Sequence, residues 1–150
     1  MHIKGLIKNS LVDFRGHIAA VVFTGGCNFR CPFCQNAELV TGHQQLPDIP
    51  EAEILGFLQE RRGFLDGLVI SGGEPTLQPD LEPWLAQIRE TGLAIKLDTN
   101  GYRPQALASL IQSGLVDFVA MDIKSVPHRY HEAAGVPVDL ACIRESLSIL

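Results

Sequence analysis

The chain has 150 residues, in which 17 Asp and Glu outweigh 12 Lys and Arg for a net charge of −5. That length suits one domain, and 46% hydrophobic against 19% charged residues supplies a globular core and excludes a disordered polyelectrolyte. An acidic balance without a basic block excludes a general nucleic-acid binder, and the longest apolar run, Ile18 to Phe23, is far short of the roughly 18 residues that cross a bilayer.

Met1 to Phe14 alternates charged with apolar residues and lacks a signal-peptide core, so neither export nor a membrane is expected. Ile18 to Phe23 predicts the first strand, and Leu68 to Ile70, Leu93 to Leu97 and Phe118 to Ile123 repeat its continuous apolar pattern. Such runs suit strands covered on both faces, as in a parallel sheet. Between them, Thr41 to Pro50 reads as the longest loop and about Ile49 to Arg62 as a helix, with Asp48 and Glu51 spaced as a capping box and Gly63 beyond its end. Leu81, Trp84, Leu85 and Ile88 form a helical stripe stopped by Gly92; Leu107, Leu110 and Ile111 form another between Pro104 and Gly114. Asp139 caps a last helix with the face Leu140, Ile143, Leu147 and Leu150. The later strands start about every 23 to 26 residues, the period of a β-loop-α-loop unit. About four such units, in one domain over residues 1–150, predict an α/β parallel sheet or partial barrel. The last helical pattern reaches Leu150 without a Gly or Pro stop, so the chain reads as the front part of a longer protein.

Polar groups follow each strand where packing alone would not call for them. They are Thr24-Gly25-Gly26-Cys27 after the first, Ser71-Gly72-Gly73-Glu74-Pro75 after the second, Asp98-Thr99-Asn100-Gly101 after the third and Met121-Asp122-Ile123-Lys124 at the fourth. Parallel α/β architectures bind ligands outside the carboxyl ends of their strands, so the four groups are expected around one site. The glycines let a ligand approach the backbone, and Glu74 can accept from an ammonium group.

Cys27, Cys31 and Cys34 crowd into eight residues, whereas Cys142 lies far along the chain. That spacing favours metal ligation in a reducing compartment over disulfides. Three thiolates leave one iron of a four-iron cluster open to a further ligand. A zinc site completed by Cys142, His17 or His43 is the alternative, although zinc spacings usually pair two ligands with two more. Trp84 reads as core, Cys142 as a small hydrophobe on its helix, and His128-Arg129-Tyr130-His131 as loop surface.

The CxxxCxxC loop after the first strand, followed by Gly72-Gly73-Glu74-Pro75, resembles the signature of the radical S-adenosylmethionine (SAM) superfamily. Ser10-Leu11-Val12-Asp13, Cys34-Gln35-Asn36, Leu97-Asp98-Thr99-Asn100-Gly101 and Met121-Asp122-Ile123-Lys124 are similar to the activating enzymes of glycyl-radical enzymes. Two positions depart from that pattern: Arg15 stands where proline is usual, and Gln35 where histidine is frequent.

The resemblance implies a partial (β/α) barrel and a 4Fe-4S cluster held by Cys27, Cys31 and Cys34, with SAM on the fourth iron. It implies that Phe33 lies against the adenine, that Gln35 and Asn36 face the cofactor, and that Gly72, Gly73 and Glu74 hold the methionine amino group. Asp98, Thr99 and Asp122 would hold a monovalent cation beside the SAM carboxylate, and Lys124 would contact SAM. The implied activity is reductive cleavage of SAM to a 5′-deoxyadenosyl radical that takes a hydrogen from a glycine of a partner enzyme, with no side chain as general base. Anaerobic ribonucleotide reductase is the expected partner, flavodoxin or ferredoxin the electron donor, and the cytoplasm the location. A radical SAM enzyme acting on a small molecule is the first alternative, and a zinc-stabilised or electron-transfer module the second.

Overall fold

One sheet, in the order β1-β2-β3-β4-β5, organises the chain in a computed structural model that describes residues 1–150. Its strands are β1 (Ile3–Ser10), β2 (Ala19–Thr24), β3 (Gly67–Gly72), β4 (Ala94–Thr99) and β5 (Phe118–Met121). From β2 to β5 all neighbours are parallel, with Val22 opposite Ile70, Ile70 opposite Leu97, and Leu97 opposite Val119. The helices are α1 (Ala37–Thr41), α2 (Glu51–Glu60), α3 (Leu81–Arg89), α4 (Pro104–Gln112), α5 (Tyr130–Ala134) and α6 (Leu140–Ile149). None is long and apolar enough to cross a membrane.

Alternation along the parallel strands divides two cores. Ala20, Val22, Leu68, Ile70, Ile95 and Leu97 pack with α2, α3 and α4, whose Ile54, Leu58, Trp84, Leu85, Ile88 and Leu107 are all at most 1% exposed. Burial of each such Leu or Ile side chain contributes about 2–3 kcal/mol, so this layer dominates the apolar stabilisation. Ala19, Val21 and Val69 point to the opposite face, where Phe14 covers them. A third cluster, Phe29, Tyr130, Ala134 and Ile143, packs with Cys27 and Cys31.

The expected parallel strands and the helices along Leu81–Ile88 and Leu107–Ile111 are present, and Trp84 is core at 1% exposure. Several expectations need correction. No strand is predicted over Ile3–Ser10; β1 pairs antiparallel with β2, with Lys8 exposed, Ile7 43% exposed and Lys4 tied down by Asp48, a weak apolar pattern that suits an edge strand. The capping box at Asp48 is absent. Pro50 precedes the first turn of α2 without a side-chain cap, and Asp48 instead takes the ammonium of Lys4 at 2.8 Å. The face of α6 is also rotated: Ile143 and Ser146 are buried while Leu147 and Leu150 are 49% and 54% exposed. Ser146 turns inward because its hydroxyl donates to the Gly101 carbonyl at 2.6 Å. Residues Thr41 to Pro50 carry a short 3-10 turn at His43–Gln45. Tyr130, expected on a loop surface, starts α5 and is 2% exposed.

Candidate active site

The carboxyl ends of β2, β3, β4 and β5 surround one cavity of about 480 Å³. The end of β3 approaches the turn after β2 closely enough to require glycine twice. Gly72 has φ 114°, and a Cβ there would lie 2.3 Å from the Thr24 nitrogen; a Cβ on Gly73 would lie 1.9 Å from the Gly26 carbonyl oxygen. The same proximity lets Gly73 N–H donate to the Thr24 carbonyl at 2.9 Å and Glu74 N–H to that of Gly26 at 2.8 Å. Gln78, 6% exposed, adds a side-chain bond to the Gly25 carbonyl at 2.8 Å. The two turns therefore form one hydrogen-bonded rim.

Cys27, Cys31 and Cys34 all line the cavity, together with Phe33, Gln35, Asn36, Gly72, Gly73, Asp98, Thr99, Asp122 and Lys124. Phe33 stands at its edge, 57% exposed. Cys142 is on α6 and does not line it.

Glu74 is placed differently. Its carboxylate is 0% exposed and lies outside the cavity lining. One oxygen accepts Thr76 N–H at 3.1 Å and the hydroxyls of Thr76 and Thr99 at 2.5 and 2.8 Å; the other accepts Asn100 N–H at 2.7 Å. In this arrangement the side chain braces the strand ends from beneath, where the sequence pattern suggested a contact with the cofactor. Burial pushes its pKa up despite those donors.

Two ion pairs face the cavity. The Lys96 ammonium contacts Asp98 at 2.7 Å and donates to the Asp13 carbonyl at 2.7 Å, while Lys124 pairs with Asp122 at 2.7 Å. Burial opposes the charge on Lys124, but Asp122 and the nearby cysteines outweigh it and hold its pKa up. Burial also raises the Cys27 thiol, opposed by the Phe29 N–H that donates to its sulfur at 3.4 Å. Cys31 is raised by burial and opposed first by Lys124. At half-buried Cys31 the Lys124 ammonium works against the burial that favours the neutral thiol.

Lys96 lines the cavity without having been singled out in the sequence, whereas Asn100 belongs to the polar group expected at the end of the third strand, with no contact of its own assigned. Lys96 interrupts the apolar run of β4, and Asn100 sits inside the Asp98-Thr99-Asn100-Gly101 stretch, so both were visible as polar residues without an assignable contact.

No three Cys, His, Asp or Glu side chains converge closely enough to hold a single metal ion. A four-iron cluster asks instead for one thiolate on each of three irons, with the ligand sulfurs set apart around it. Three thiols around one cavity, beside a lysine, fit that donor set.

Four parallel strands with three cysteines in the loop after the first of them are the arrangement that the resemblance to cluster-dependent SAM enzymes implies. Residues 21–150 match the family model described as the Radical SAM superfamily, and the chain belongs to that superfamily, whose members use a 4Fe-4S cluster and SAM. A candidate glycyl-radical enzyme activating enzyme of Methanocaldococcus jannaschii is 37% identical over 132 residues, 87% of this chain and 53% of that protein. GTP 3′,8-cyclase of Photorhabdus laumondii is 32% identical over 121 residues, 75% of this chain and 35% of the cyclase. The fold is also that of QueE from Escherichia coli, with TM-score 0.59 and 16% identity over 96% of this chain and 66% of that one. The chain spans about half the length, or less, of these curated relatives.

Proposed function

We propose that residues 1–150 form the SAM-cleaving core of an activating enzyme that removes a hydrogen atom from a glycine Cα of a partner, anaerobic ribonucleotide reductase. The observation that carries this reading is the gathering of Cys27, Cys31 and Cys34 with Gln35, Asn36, Asp98, Thr99, Asp122 and Lys124 around one strand-end cavity. It is supported by the 37% identity to a candidate activating enzyme.

In this reading the three cysteines hold the cluster, which supplies the electron for reductive cleavage of bound SAM. Phe33 covers the adenine, and Gln35 and Asn36 orient the nucleoside. The main chain of Gly72 and Gly73 meets the methionine amino group while Glu74 holds that turn in place from below. Lys124 meets the carboxylate. Asp98, Thr99 and Asp122 form the seat of a monovalent cation, and Lys96 already sets one ammonium against Asp98. Flavodoxin or ferredoxin delivers the electron, in a reducing cytoplasm that suits four free cysteines. No side chain is asked to move a proton.

The test is to reduce the reconstituted full-length protein anaerobically with SAM and anaerobic ribonucleotide reductase from the same source. A glycyl-radical doublet by electron paramagnetic resonance (EPR), with one 5′-deoxyadenosine per radical, is expected. The likeness to GTP 3′,8-cyclase favours one second reading, a small-molecule substrate in the same cavity. Deoxyadenosine formed on a small molecule, with no radical on any glycyl-radical enzyme, selects it.

A further inference from the structure

Asn100, 6% exposed at the end of β4, is the only side chain from another strand end that hydrogen-bonds a cysteine of the loop. Its backbone and side chain are both committed. The backbone N–H donates to Glu74, and the side-chain oxygen accepts Tyr102 N–H at 3.0 Å. That second bond fixes which way the amide points, because a main-chain donor must face Oδ1 and not the amino group. Nδ2 is therefore turned toward the cysteine loop, with the Asn28 Oδ1 at 2.7 Å and the Cys27 sulfur at 3.7 Å. Two hydrogens meet two acceptors.

The sulfur of Cys27 thus lies between two N–H groups, from Asn100 and from Phe29 at 3.4 Å. As a thiol it also donates toward Asn28 Oδ1 at 3.8 Å. A metal-bound thiolate has no proton to give and only accepts, so the two N–H groups become its partners. Hydrogen bonds to cluster sulfur stabilise the more negative, reduced state and raise the reduction potential. No side-chain amide reaches Cys31 or Cys34, so the effect is confined to one corner of the cluster.

We propose that Asn100 is a positioning residue for Cys27, donating its amide N–H to the ligand sulfur and raising the potential at which the bound cluster accepts an electron. The inference rests on the cysteine loop being the cluster site. Through Glu74, the same asparagine ties that corner to the turn proposed to hold the SAM amino group.

The experiment compares wild type, Asn100→Ala, Asn100→Asp and Asn28→Ala after anaerobic reconstitution of the full chain. Iron is counted first, and midpoint potentials then follow from EPR-monitored titration. Both Asn100 variants are expected to keep the cluster and reduce at lower potential, by up to about tenfold in the one-electron equilibrium, or about 59 mV. Asn28→Ala keeps the Asn100 contact and is expected to shift less. In protein labelled with ¹⁵N-asparagine, pulsed EPR of the reduced wild type should show an amide nitrogen coupling that Asn100→Asp loses. An unchanged midpoint in loaded Asn100→Ala overturns the proposal, as does an Asn28→Ala shift of equal size. Absence of the nitrogen coupling in wild type overturns it even where the variants fail to load. Wild type that takes up no iron overturns the cluster reading itself, which is a separate failure.

Discussion

The Oε2 of Glu74 accepts the main-chain N–H of Asn100 at 2.7 Å, joining the turn after β3 to the end of β4 below the cavity. Oε1 gathers three more donors, so all four bonds are made inside the protein. Because burial raises the folded-state pKa above the unfolded value, the stability Glu74 contributes is full below the unfolded value and is lost as pH rises through the folded one. Glu74→Gln should cost about 1–3 kcal/mol, since its amino group must face one of those donors. It should also remove that fall with pH. Urea unfolding over a pH series measures both, and an unaltered slope in the variant would assign the pH dependence to other groups.

Replacing Cys27, Cys31 or Cys34 by Ala should abolish retention of about four irons per chain, whereas Cys142→Ala should leave it intact. Iron and sulfide analysis on anaerobic protein decides this. Stoichiometric zinc with no iron uptake would contradict the cluster assignment.

Gly73→Ala should cost about 3 kcal/mol or more, because its Cβ would lie 1.9 Å from a backbone oxygen that cannot swing away. Gly56→Ala is the matched control: it lies within α2 with nothing within 4 Å of the added atom, and should stabilise by about 0.5–1 kcal/mol. Thermal unfolding of the two variants should move in opposite directions.

Phe29→Ala should cost about 3–5 kcal/mol, since the ring is 2% exposed among Tyr130, Ala134 and Ile143. The same packing holds the Phe29 N–H against the Cys27 sulfur, so faster loss of iron from the reconstituted variant is expected. Calorimetry and iron release with a chelator report the two effects separately.

Much of the site could be read along the chain because its residues are local. Cys27, Cys31 and Cys34 fall in one loop, and each polar group directly follows an apolar run, so short-range pattern predicted both the parallel strands and the strand ends that line one cavity. Apolar periodicity likewise placed Trp84 and Leu107 in the core. Tertiary structure decided whatever depended on competition for partners. Asp48 has the spacing of a helix cap, yet it takes Lys4 from β1, residues far away in sequence. Ser146 displaces Leu147 from the buried face of α6 because the Gly101 carbonyl needs a donor. Glu74 carries the composition of a ligand contact, but donors from β4 and the following turn surround it. Hydrophobic burial follows from sequence period, whereas a buried polar group goes wherever the fold supplies its hydrogen bonds.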